Sequence, residues 1–171
     1  MRIAIDTIPD DGVHVDLTAE LPWAVDAATS VIESAVSVLH GHLHVERRGT
    51  SARVRGSVSA AGQRICERCG ESTALTLSSE PDLDYVPAED VPPGHTEVRL
   101  AAGDLDIGWF QAGILDLSDV LSEALALALP PRIACSDTPP CDARVAAMLE
   151  AQSGPSDDHP FAALRGSFND A

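Results

Sequence analysis

The sequence predicts an α+β domain: an antiparallel sheet carrying a few packed helices, with a four-cysteine, zinc-knuckle-like site. Three observations point there. Much of the first half alternates apolar and polar residues with the period of two that a one-sided sheet requires. A segment in the second half repeats apolar residues at helical spacing. Hydrophobic residues make up 44% of the 171-residue chain but aromatics only 4%, so the core must be built from Leu, Val, Ile and Ala.

Residues 2–8 and 13–17 are rich in β-formers and flank Pro9-Asp10-Asp11-Gly12, which reads as two strands joined by a turn. Pro22 opens a short helix through Trp23 and Ala28. From Ala35 the alternation is clear. Leu39, Gly41, Leu43 and Val45 share one face, and His40, His42, His44 and Glu46 the other. Arg47-Arg48-Gly49-Thr50 reads as a turn. A second run then places Ala52, Val54, Gly56 and Val58 inside, with Arg53, Arg55, Ser57 and Ser59 outside, making an antiparallel hairpin.

A further strand is expected at Thr73–Leu77. The acidic, proline-rich stretch from Glu80 to Gly94 reads as a loop with a short extended piece at Leu83–Val86, and short strands are expected at Glu97–Leu100 and Leu105–Ile107. The best helix starts after Asp116. Leu117, Val120, Leu121, Ala124, Leu125 and Ala128 line one face, Asp116 caps it, and Pro130-Pro131 ends it. A second helix is expected from Asp142 to about Ala151. Residues 1–151 then form the domain, and 152–171 a flexible tail.

Charge narrows the function. There are 27 acids against 11 bases, a formal net charge of -16. A protein coating nucleic acid needs the opposite sign, so wholesale RNA or DNA binding is excluded while a local basic patch or a basic partner is not. All the bases are Arg, which removes Schiff-base chemistry and the phosphate-loop lysine. Nucleophile elbow, dinucleotide fingerprint and zinc-protease motif are all missing, so neither an enzyme nor a small-molecule substrate is expected. The N-terminus lacks an apolar leader pattern. The most apolar stretch, Ile114 to Leu129, carries Asp116, Asp119 and Glu123, so a cytoplasmic chain with no membrane partner is expected.

In that compartment cysteines suggest metal or reactivity before disulfides. Cys66-Glu67-Arg68-Cys69-Gly70 spaces two thiols for one ion, and the Gly accepts the positive φ that a sharp turn demands. Cys135 and Cys141 bracket Ser-Asp-Thr-Pro-Pro, wider than the usual structural-zinc spacing. Cys141 sits just before the expected helix, a place that favours thiolate. Together Cys66, Cys69, Cys135 and Cys141 would make a closed, structural Zn2+ site. The alternatives are two unrelated pairs of ordinary thiols, or a redox pair.

Between residues 47 and 68 there are six arginines and one acid, so the chain is bipolar. Arg53, Arg55, Arg64 and Arg68 are the candidate contacts to RNA phosphates or an acidic partner. The bland alternative is a solvated strand face with Arg paired to this chain's own acids. His40, His42 and His44 form a weaker metal candidate without visible supporting acids. The Asp82/Asp84 and Asp104/Asp106 pairs read as exposed strand faces over the apolar residues between them.

Four segments resemble the YceD family, also called domain of unknown function 177. They are Val54-Arg55-Gly56-Ser57-Val58; the C-x-R-C turn at Cys66-Glu67-Arg68-Cys69-Gly70, the most specific; Asp104-Leu105-Asp106-Ile107 with the helix from Leu117 through Glu123 to Leu129-Pro130; and Pro160-Phe161-Ala162-Ala163-Leu164. The resemblance spans most of the chain from about residue 30. It implies a bacterial role in accumulation of large-subunit (23S) ribosomal RNA through its synthesis, processing or stability, metal binding, possible contact with nucleic acid, and no enzyme activity. Cys66, Arg68 and Cys69 become the functional residues, with Cys135 and Cys141 as the complementary pair. The end at Gly166–Asp170 lacks the lysines that often close family members.

The expected function is therefore a non-enzymatic ribosome-biogenesis factor whose partner is large-subunit ribosomal RNA or a basic ribosomal protein. The alternative is a thiol-based redox or zinc-sensing protein.

Overall fold

The structure, a computed structural model, describes residues 1–88 and 107–152. The strand expected at Glu97–Leu100, the Asp104/Asp106 pair, the Pro160–Leu164 motif and all of the tail but Gln152 lie outside the described residues. Among the described residues the elements are strands β1 (Arg2–Ala4), β2 (Val13–Thr18), β3 (Val38–Arg48), β4 (Ser51–Ile65), β5 (Ser72–Ser79), β6 (Asp82–Pro87), β7 (Ile107–Phe110) and β8 (Ile114–Asp116). The α-helices are α1 (Pro22–Ile32), α2 (Leu117–Leu127) and α3 (Thr138–Gln152), and a 3-10 turn at Ile5–Thr7 takes up part of the stretch expected as strand over residues 2–8.

The hairpin is the spine. β3 and β4 pair from Val38↔Ala61 to Arg48↔Ser51, so the turn is only Gly49-Thr50, and Arg47 and Arg48 belong to the strand. Gly49 takes the positive φ (66°) that such a tight turn needs. The fifteen-residue β4 meets β3 along one edge. Its other edge is shared between β6, against Ala52–Arg55, and β5, against Val58–Ile65. β2 lines the far side of β3.

The sheet is mixed, not purely antiparallel: β7 runs parallel to β6, with Tyr85 opposite Gly108. The short extended piece expected at Leu83–Val86 within the acidic stretch is strand β6, one residue longer at each end. Asp82 and Asp84 point their charges outward while the Tyr85 side chain is buried. The two N-terminal strands do not pair with each other across the Pro9–Gly12 turn. β2 joins the main sheet, whereas β1 pairs with β8 in a separate two-stranded ribbon.

One face of the sheet carries the core. Val15, Leu17, Leu39, Leu43, Val45, Val54, Val58, Leu75 and Leu77 meet Ala24, Ala28 and Ile32 of α1 and Leu117, Val120, Leu121 and Leu125 of α2. Asp116 accepts from the backbone N–H of Ser118, and so caps α2 as expected. α2 ends at Leu127, before the two prolines. α3 is different: its one buried side chain is Cys141, and none of its residues joins the main core. No helix of the described residues is long and apolar enough to cross a membrane.

Candidate metal centre

β4 ends in a tight knuckle. The Cys66 N–H donates to the Glu71 carbonyl at 2.7 Å, and the Gly70 N–H donates to the Cys66 carbonyl at 2.9 Å. Gly70 has φ +74°, a conformation that its missing Cβ makes free of strain. These bonds fold the chain so that Cys66 and Cys69 point the same way. The second pair arrives from the far end of the chain. Ile133 is buried in the main core, and its carbonyl accepts from the Glu67 N–H at 2.9 Å, which holds the approaching segment against the knuckle. Cys135 follows two residues later. α3 begins at Thr138, four residues earlier than expected, because Pro139 and Pro140 occupy its first turn, where backbone N–H groups have no helical partner to lose. Cys141 therefore lies inside the helix and not before it.

All four sulfurs lie within 4.8 Å of one another. Cys66 and Cys141 are 3.9 Å apart, and Cys69 and Cys135 are 3.6 Å apart. A tetrahedron of four sulfurs at a metal–sulfur distance of about 2.3 Å has edges of about 3.8 Å. The spacing suits one central ion, and it is far too long for disulfides, whose S–S bond is about 2.05 Å. The cysteines are free, with Cys66, Cys69 and Cys141 buried and Cys135 half-buried. Among the described residues this is the one cluster of three or more cysteine, histidine or carboxylate side chains whose ligand atoms converge in this way.

The thiols are not equivalent. The backbone N–H of Cys69 donates to the Cys66 sulfur and, with help from the N–H groups of Arg68 and Cys135, outweighs burial to bring that thiol down to about 6. Cys69 is lowered chiefly by the Glu71 N–H, against burial, with the Arg144 guanidinium as a further donor. Burial raises Cys135, and neighbouring Cys66 and Cys69 add to it. Burial likewise pushes Cys141 up to about 12, reinforced by the same two thiols. The thiolate expected at Cys141 from its place near a helix start is thus reversed: three neighbouring sulfurs and burial outweigh the helix end.

Sequence reasoning misses Arg144. Its Nη2 donates to the Cys135 sulfur at 3.7 Å. The available signal is spacing: residue 144 is three beyond Cys141, hence on the same helix face.

The four candidate arginines do not share one surface. Arg53 and Arg55 point to the open face of the sheet beside His40, His42 and His44. Arg53 donates to both Asp82 oxygens at 2.6 and 2.8 Å, and Arg55 donates to Glu46 at 2.5 Å. The bond from Arg53 holds Asp82 below the usual carboxylate range, and the bond from Arg55 does the same for Glu46. Arg64 lies on the opposite, helix-bearing face. It donates to the Val31 and Ile32 carbonyls at the end of α1 and pairs with Glu33 at 3.0 Å. Arg68 pairs with Asp142 of α3. His42 and His44 are engaged locally. His42 Nδ1 lies 3.2 Å from the Ser57 hydroxyl, and His44 stacks on His14 with ring centres 4.0 Å apart.

The family model described as "Large ribosomal RNA subunit accumulation protein YceD" matches residues 54–166. That span takes in most of the hairpin's second strand, the knuckle and both later cysteines. No curated protein and no solved structure matches the chain.

Proposed function

Since the chain belongs to the YceD family, we propose that it is a non-enzymatic cytoplasmic factor supporting the synthesis, processing or stability of 23S ribosomal RNA, its domain held together by one structural zinc ion. The family is linked to ribosomal RNA accumulation, and its members are not known as enzymes. The observation that carries the proposal is the family match running through the C-x-R-C turn. Residues 1–151 act as the domain in this reading, and 152–171 as a tail.

Zinc is the ion of choice because four thiolates converge with no open position. That donor set suits a closed zinc site and offers nothing to the oxygen-seeking cations. Bound there, the ion supplies no reactive ligand; it fixes the knuckle to α3.

For the partner, the charges favour a basic ribosomal protein over direct RNA contact. The net charge is -16, and Arg53, Arg55, Arg64 and Arg68 are each already paired with an acid of this chain. RNA phosphates would have to displace those partners. The test is depletion of the protein, followed by the ratio of 23S to 16S RNA and by sedimentation of the tagged chain with ribosomal precursors. A selective fall in 23S RNA with co-sedimentation supports the role. Unchanged 23S RNA refutes it.

The low-lying Cys66 thiol favours a second reading, a thiol-based redox or zinc-sensing protein. Burial of Cys66 works against reagent access. Maleimide mapping separates the two: one fast-reacting thiol in the native protein selects the sensor, and uniform protection selects the structural site.

A further inference from the structure

We propose that Arg144 is the countercharge of the metal centre: its guanidinium offsets one of the two net negative charges that four thiolates and a divalent ion carry together, and shields the sulfurs it touches. The proposal rests on the reading of the four cysteines as a metal site.

Two observations on geometry and burial carry it. The guanidinium reaches the cluster, with Nη2 donating to the Cys135 sulfur at 3.7 Å. Its Nε is buried and has no hydrogen-bond partner. A buried N–H with nothing to donate to is costly, and a guanidinium is not neutralised to escape that cost. Its burial there makes sense only beside compensating negative charge. Asp142, the carboxylate of α3 nearest in sequence, is taken by Arg68. Among the described residues, what remains to balance Arg144 is the sulfur cluster itself.

The helix makes the placement obligatory. Cys141 is fixed by the cluster, and residue 144, three positions on, must project over the same side. Val145, next along, packs against the same group of cysteines. Arg144 therefore approaches the sulfurs from the α3 side, with Nη2 on Cys135.

The consequence is chemical. An all-thiolate zinc site bears two net negative charges, which makes its sulfurs electron-rich and open to alkylation. A cation donating N–H bonds to the sulfurs draws off that density and stabilises the loaded state. Arg144 thus moves the centre toward a permanent structural site and away from a labile one.

The test uses the full chain and its Arg144→Met and Arg144→Lys variants. Zn2+ affinity is measured by competition with a chromophoric chelator, and the rate of zinc release is followed under excess iodoacetamide. Cobalt(II) loading reports the four-sulfur geometry through its thiolate charge-transfer bands. The expected result is a loss of about 10–100-fold in affinity for Arg144→Met, with faster zinc release, unchanged cobalt bands, and most of the affinity restored in Arg144→Lys. Affinity within two-fold of the parent in Arg144→Met overturns the proposal. So does equal weakening in both variants, which would mean that shape and not charge matters. If the parent chain itself binds neither Zn2+ nor Co2+, the metal reading falls first and the role of Arg144 with it.

Discussion

If the cysteines hold zinc as proposed, stripping it should undock α3 and leave the rest of the fold standing. The protein-only contacts of this helix are few. Cys141 and half-buried Val145 face the cluster, Arg144 donates to the Cys135 sulfur, the Met148 side chain lies near Gly70 of the knuckle, and Asp142 meets Arg68 at the surface. Full burial of a valine stabilises by about 1.5–3 kcal/mol, so a half-buried one contributes roughly 1 kcal/mol. An exposed ion pair adds about 0–1 kcal/mol. Structural zinc sites in small peptides are worth about 10–16 kcal/mol of apparent binding free energy. The ion therefore dominates by a wide margin, and a free fifteen-residue helix is marginal in water. Among the described residues the α-helices span 11, 11 and 15 residues, so loss of α3 removes about two fifths of the helical signal that they contribute. The assay is circular dichroism at 222 nm during chelation under reducing conditions, followed by urea titration of the stripped protein. The expected outcome is that fall in ellipticity with a cooperative unfolding transition retained, because no α3 residue belongs to the main core. Unchanged ellipticity after complete metal removal would refute the reasoning, and so would loss of the cooperative transition.

Three other outcomes follow from named contacts. Burial opposes ionisation of Asp116, but the Ser118 backbone N–H, the Arg2 guanidinium, the Ser118 hydroxyl and the N-terminal ammonium outweigh it and hold the carboxyl at about 2. A depressed pKa stabilises the fold above the unfolded value of about 3.9, and that contribution fades as pH falls towards 2. Asp116→Ala should thus cost about 1–2 kcal/mol at pH 7, with the gap to the parent closing between about pH 4 and pH 2 in urea titrations; a pH-independent gap would contradict it. Tyr85→Phe removes the hydroxyl that donates to Glu123 at 2.9 Å and should destabilise by about 1–2 kcal/mol, read from the denaturation midpoint. Gly56→Ala would bring a Cβ to 2.0 Å from the His42 carbonyl oxygen of β3. Partner backbone cannot yield as a side chain can, so a loss of about 1–3 kcal/mol is expected, checked by thermal melting.

What the sequence reveals is local. Alternation at Leu39, Leu43 and Val45 against Ala52, Val54 and Val58 marks the hairpin, because a one-sided sheet writes its period into neighbouring residues. Helical spacing after Asp116 marks α2 and its cap. Gly70 announces the knuckle. The pairings that are not legible are the distant ones. Arg2 of β1 faces Asp116 of β8 across most of the chain, and no short window records that register. β7 carries only four residues and pairs in parallel, so its Ile107-Gly108-Trp109-Phe110 lacks the length for a clear period. Pro139-Pro140 reads as loop because proline breaks helices everywhere except in the first turn, which is where they fall. Arg64 shows a different limit. It lies close in sequence to Arg55, yet its even number places it with Ala60 and Gly62 on the helix-bearing face, so nearness along the chain is a poor guide to shared surface. The four cysteines converge as the site expected of them requires, but the basic residue behind them is visible only once α3 is docked.

The separation of the two halves of the cluster sets a timetable for a chain under synthesis. Cys66 meets a sulfur 75 positions later, and Cys69 one 66 positions later. At about 5–20 residues per second, the first pair leaves the ribosome roughly 3–15 s before its partners do. Over that interval the hairpin, whose strands are joined by two residues, has ample time to form, since hairpins close in about 1–10 μs. Any ion captured early is held by two sulfurs alone and exchanges freely. The four cysteines come together only on a sheet already built, so, if they hold zinc as proposed, a growing chain starved of metal would be left with its sheet formed and α3 untethered.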